Sequence, residues 1–92
     1  MEFKVPGTKA ENYSKLKNQL SYYISSGKIP FIAETQWNDA DCQVSCSGTG
    51  FKAKIECLDE NIKIELDLNF ALKMMKGQIE EQIQRMIEKI FR

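Results

Sequence analysis

Strict alternation of apolar and polar residues marks the middle of the chain. Phe51, Ala53, Ile55 and Cys57 alternate with Lys52, Lys54 and Glu56, and Ile62, Ile64, Leu66 and Leu68 alternate with Lys63, Glu65 and Asp67. A period of two places each apolar set on one face of a strand. A loop at 58–61 sets Cys57 opposite Ile62, and so sets Glu56 against Lys63, Lys54 against Glu65 and Lys52 against Asp67. Each opposite-charge pair contributes about 0.2–1 kcal/mol, and a one-residue slip would turn the charges into the core. Upstream, Gly48-Thr49 fits a two-residue hairpin turn with glycine first. That turn puts Cys46 opposite Phe51 and Val44 opposite Ala53. Residues 38–41 close an earlier hairpin with Trp37 opposite Cys42. The spacing therefore predicts a four-strand antiparallel meander over 31–69. Its apolar face carries Phe31, Ala33, Trp37, Cys42, Val44, Cys46, Phe51, Ile55, Ile64, Leu66 and Leu68.

Helical periods flank this region. Over 8–26, Tyr13, Leu16, Leu20, Tyr23 and Ile24 share one face. Thr8 with Glu11 forms a capping box, Gly27 stands where a C-terminal cap belongs, and Pro30 stops any continuation. Over 70–91, Leu72, Met75, Ile79, Ile83, Met86, Ile87 and Ile90 occupy an arc of about 120°, with Lys73, Glu81, Gln84, Arg85, Glu88 and Arg92 outside it. Residues 1–5 add a short strand. The expected fold is a two-layer α+β sandwich in the order (β)αββββα, with both helices packed on the apolar face of the sheet.

Length and composition set limits on this picture. The 92 residues form a single domain, 1–92. A chain of this mass buries about 64% of its unfolded surface, enough for one core without metal or disulfide staples. The 13 basic and 13 acidic residues cancel, which argues against nucleic acid as a partner. Residues 1–30 sum to +3, 31–69 to −5 and 70–92 to +2, an acidic sheet beneath mildly basic helices. No apolar run approaches the roughly 20 residues of a transmembrane segment, and the first residues lack the apolar core of a signal peptide. A cytoplasmic location is expected.

The candidate chemistries thin out quickly. The chain has no histidine, so it lacks the commonest general base and metal ligand. Three cysteines fall short of the four ligands of a structural zinc site. In the expected register Cys57 is only the diagonal neighbour of Cys42, about 7–8 Å away. Cys42, Cys46 and Cys57 are therefore expected in the core, reduced and without metal. Carboxylate pairs at Asp39/Asp41 and Glu80/Glu81 lie in a loop and on a solvated helix face, where nothing tunes an acid for proton transfer. Gly48-Thr49-Gly50 is a turn with no helix behind it to hold phosphate. No enzyme activity and no cofactor are expected.

The C-terminal helix invites a binding role. Twenty-two residues span about 33 Å against about 23 Å for a seven-residue strand. About 10 Å should overhang the sheet, still bearing Ile83, Met86, Ile87, Ile90 and Phe91. The first helix, a second copy of the chain, or an apolar surface or ligand could cover that end. Gly77 marks a place where this helix could kink. Tyr22 opposes the apolar face of the first helix and is the best-placed exposed aromatic. In the alternative, a cavity near Trp37, Phe51 and Met75 would carry a small apolar ligand.

The stretch from Pro30 onward resembles the putative polyhydroxyalkanoic acid system proteins. The likeness rests on Trp37 before a short polar turn, on Gly50 with its alternating strand, and on Leu66-x-Leu68-x-Phe70-Ala71-Leu72, Lys76, Ile79-Glu80, Ile83 and Ile87. That family usually shows a histidine between its first strand and first helix, where this chain has Pro6-Gly7-Thr8. The resemblance implies association with polyester storage granules or their synthesis machinery and carries over no catalytic residue. The expected partners are the granule surface, granule proteins or a second copy of the chain in a homodimer.

Overall fold

The computed structural model describes residues 1–29 and 32–91. Phe31, expected on the apolar face, and Pro30 and Arg92 lie outside the described residues. The elements are β1 (Glu2–Lys4), α1 (Lys9–Ser25), β2 (Glu34–Asn38), β3 (Gln43–Gly48), β4 (Phe51–Leu58), β5 (Asn61–Leu68), α2 (Phe70–Lys73) and α3 (Lys76–Ile90). The five strands form one antiparallel sheet in the order β1-β5-β4-β3-β2. The meander occupies consecutive positions, and the N-terminal strand adds to its β5 edge.

Alternation does what it should. Phe51, Ala53, Ile55, Cys57, Ile62, Ile64 and Leu68 are buried on one face, while Lys52, Lys54, Lys63, Glu65 and Asp67 face out. The β4–β5 register is the expected one, with Glu56 opposite Lys63, Lys54 opposite Glu65 and Lys52 opposite Asp67. Lys63 also reaches across the sheet edge, its Nζ 3.8 Å from Glu2 on β1.

Both other hairpins are shifted by two residues from the expectation. Cys46 pairs with Ala53 and Val44 with Ile55, because Gly48 stays in the strand opposite Phe51. The turn is Thr49-Gly50, and Gly50 supplies its positive φ of 71°, a conformation in which glycine avoids the Cβ clash. In the first hairpin Trp37 faces Val44, not Cys42. Cys42 sits in the turn at φ 53° and is half-buried, not a core strand residue. A shift of two keeps every strand side chain on its own face, so the same residues of β3 and β4 form the core in either register. Ala33 is exposed ahead of β2, and Trp37 and Leu66 are half-buried.

The start of α1 is over-determined. Thr8 Oγ1 accepts from the Glu11 N–H and Glu11 Oε1 accepts from the Thr8 N–H, completing the capping box. Asp59 Oδ1 in the β4–β5 turn accepts from the Lys9 N–H at 2.6 Å. The buried Asn12 donates through Nδ2 to the carbonyls of Gly7 and Leu58. Sequence periodicity did not single out Asn12, yet it ties α1 to the end of β4. From this anchor Tyr13, Leu16 and Leu20 are directed into the core.

The C-terminal helix is two helices. Asn69 caps α2 through its Oδ1, which accepts from the Leu72 N–H at 2.9 Å. The chain breaks at Met74–Met75, where Met75 has φ −106° and ψ 12°. The break thus precedes Gly77, the expected kink site, which lies inside α3. This removes the overhang. Fifteen residues of α3 span about 22 Å, no more than the roughly 27 Å of an eight-residue strand. Ile83, Met86, Ile87, Ile90 and Phe91 are accordingly buried in the chain's own core. They are not an exposed apolar end.

Candidate functional site

Apolar side chains left in water gather at the start of the C-terminal region. Phe70 is 85% exposed, Met74 83% and Met75 48%. Phe70 and Met74 are four residues apart, so they are neighbours on one side of the α2 turn. Lys73 and Lys76 flank them, also exposed. Leu72 turns the other way and packs against the core. This one inward residue, with the Asn69 cap, fixes which side of α2 faces out.

The position of α2 depends on a close approach at Gly50. The Asn69 N–H donates to the Gly50 carbonyl at 2.8 Å. A Cβ at Gly50 would stand 2.2 Å from Asn69 Nδ2. Only a glycine lets the capping amide lie against this turn. The β3–β4 hairpin therefore holds the apolar knob in place.

From the knob a surface runs along α3. A groove of about 240 Å³ is lined by Lys28, Phe51, Leu72, Met75, Gln78, Ile79 and Gln82. A second, of about 230 Å³, shares Lys28 and Gln82 and adds Tyr23, Ile29, Arg85, Met86 and Lys89. Lys28 stands over the rings of Tyr22 and Tyr23, 5.4 and 5.5 Å from their centroids. Tyr22 is 57% exposed, as expected. Met75, Lys28 and Tyr22 thus belong to one continuous face, apolar at the α2 end and basic toward α1. Arg85 in this face is held by Glu81 one helical turn away.

Trp37, Phe51 and Met75 do not line one chamber. Phe51 and Met75 meet at the shallow groove beside α2. Trp37 lies elsewhere, edge-on to Tyr13 with ring centroids 6.1 Å apart. Lys17 Nζ is 5.9 Å from both of those rings and 2.9 Å from Asp39 Oδ1. The Tyr13 hydroxyl donates to the same Asp39 oxygen. Burial, then the bond to Asp39, pushes the Tyr13 phenol well above its ordinary range. The bonds from Tyr13 and Lys17 hold the Asp39 carboxyl below its ordinary value. This cluster latches the β2–β3 turn onto α1. Between helices and sheet, the apolar space next to Leu20, Phe51 and Ile83 measures about 20 Å³, room for one water at most. A concavity of about 440 Å³ lies on the polar outer face over Ser45, Lys54 and Glu65.

Among the described residues no group of three or more His, Cys, Asp or Glu could hold a metal. No helix there is long and apolar enough to cross a membrane.

No curated protein and no solved structure matches the chain. A family model, described as putative polyhydroxyalkanoic acid system protein, matches residues 10–91. The match takes in α1, which the likeness read from Pro30 onward left out. With residues 10–91 of 92 covered, the chain belongs to the putative polyhydroxyalkanoic acid system protein family.

Proposed function

We propose that this protein is a non-enzymatic accessory factor that binds the polyester granule surface through the α2 knob. The carrying observation is the exposure of Phe70, Met74 and Met75 on a capped turn that directs them outward. Folding alone gains nothing from leaving these side chains in water. The family name, which refers to a polyhydroxyalkanoic acid system, supports a polyester as the surface they meet. The flanking Lys73 and Lys76 fit such contact, since their stems can lie along an apolar surface while the ammonium groups stay wet.

Burying Phe70 and Met74 against such a surface would contribute about 3–6 kcal/mol before association costs. The test is co-sedimentation of the purified protein with polyhydroxyalkanoate particles, comparing wild type with Phe70→Ser/Met74→Ser. The expected result is binding at least about tenfold weaker, equivalent to about 1.4 kcal/mol, with the thermal midpoint nearly unchanged because neither side chain is in the core. Undiminished sedimentation of the double variant, or a collapse of its stability, refutes the reading. Self-association that disappears in the variant while particle binding persists would instead assign the knob to a homodimer.

A further inference from the structure

The two-residue shift in the β3–β4 register brings two thiols together. The ladder ends at Gln43 opposite Glu56, and one step beyond it the Cys57 N–H donates to the carbonyl of Cys42 in the turn at 3.0 Å. Residues joined by such a bond are close neighbours, and disulfides form where Cα atoms lie roughly 4.4–6.8 Å apart. Both side chains lie on the core side. Cys57 is fully buried, and Cys42 packs against the same cluster from the turn. We propose that Cys42 and Cys57 form a peroxide-sensitive dithiol site, at which an intrachain disulfide joins the β2–β3 turn to the end of β4.

The two thiols have different roles. Cys42 is half-exposed at a turn, its Sγ 3.8 Å from the Asp39 carbonyl. Leaving that contact costs little, because a thiol is a weak donor. Cys57 is sealed inside, and burial first, then the neighbouring Cys42, pushes its thiol up to about 12. Cys42 is therefore the thiol a peroxide meets. Its thiolate attacks one peroxide oxygen and the O–O bond breaks. The leaving hydroxide takes up the proton given by the thiol and departs as water. Cys57 sulfur then attacks the Cys42 sulfenic acid. The S–S bond forms and the sulfenic hydroxyl leaves with the Cys57 proton as a second water. Two electrons pass from the sulfurs to the peroxide. A dithiol restores both groups by exchange, favoured because a bond partly exposed at a left-handed turn is the reducible kind. Cys46 takes no part. It lies four residues up the strand from Cys42, opposite Ala53.

The experiment titrates the reduced full-length protein with hydrogen peroxide and follows intact mass and cross-linked peptides. The expected result is the loss of two hydrogen atoms per chain, a peptide linking Cys42 to Cys57, and full recovery in dithiothreitol. Cys46→Ser should behave as wild type. Cys42→Ser should lose nothing, while Cys57→Ser should trap a sulfenic acid on Cys42 that dimedone labels. Because Cys57 is fully buried, Cys57→Ala is run beside it, with the circular dichroism of each reduced variant. A link through Cys46, a chain-to-chain dimer as the main product, overoxidised Cys42 beside a free Cys57, or no loss of hydrogen overturns the proposal.

Discussion

Replacing Gly50 by alanine should reveal how the hairpin holds α2. Two costs follow from the geometry. The residue has φ 71°, and a Cβ in that region costs about 1–2 kcal/mol. The added carbon would also stand 2.2 Å from Asn69 Nδ2, so the amide must leave. Its departure gives up the bond from the Leu72 N–H, and losing such a cap costs about 1 kcal/mol. The stiffer unfolded chain returns about 0.4–1 kcal/mol. The net loss is about 1–2.5 kcal/mol, which for a domain of this size lowers the midpoint by about 4–8 °C per kcal/mol. Gly77 is the internal control. It is exposed in α3, and a Cβ there meets nothing within 4 Å. Gly77→Ala should therefore stabilise, by up to about 1 kcal/mol. Thermal unfolding monitored by circular dichroism reads both signs. Adding Asn69→Ala completes a cycle, and Gly50→Ala should cost less in that background because the clash has gone. Equal costs with and without Asn69, or a neutral Gly50→Ala, would refute the account.

Lys54→Glu should destabilise by about 0.5–1 kcal/mol, since it faces Glu65 in the observed register. Adding Glu65→Lys should recover most of that loss in chemical denaturation. Asp39 has a lowered folded-state value, so its contribution is complete above the ordinary carboxylate range and is lost as pH falls through the folded value. Asp39→Asn should flatten the acid limb of a stability–pH curve. An unchanged limb would mean that the Tyr13–Asp39–Lys17 latch contributes nothing to pH dependence.

The layers, both faces of the sheet and the capping of α1 were legible in the sequence because each rests on local chemistry. Alternation at 51–57 and 62–68 assigns a side to every residue, and Thr8 and Glu11 are three positions apart. Hairpin registers are less local. Gly48 and Gly50 bracket Thr49, and either glycine can supply the special residue of a two-residue turn. The choice moves the ladder by two without moving any side chain to the other face, so both registers satisfy the same hydrophobic pattern. It nevertheless decides which side chains are opposite. With Gly48 first, Cys42 faces Ile55. With Gly50 second, its carbonyl accepts from the Cys57 N–H.

The exposed apolar side chains at α2 were hidden by a different degeneracy. On a continuous wheel from 70 to 91, Met75 falls within the apolar arc with Ile79 and Ile83, and Phe70 and Met74 gain no significance. That wheel assumes one axis. Asn69 anchors α2 to the β3–β4 turn, while the Ile79, Ile83, Ile87 and Ile90 stripe must lie along the sheet, and the chain changes direction at Met74–Met75 to satisfy both. Apolar residues at the far end then close the core. Those at the near end, next to the break, are turned out. Hydrophobic spacing carries no sign of this exchange, since burial of either end satisfies the same periodicity. The signal that could have found it is the Asn69 cap, a side chain suited to starting a helix immediately after the last strand. A helix that begins so close to a strand end has its first turn fixed by the hairpin beneath it, whatever its later turns must cover.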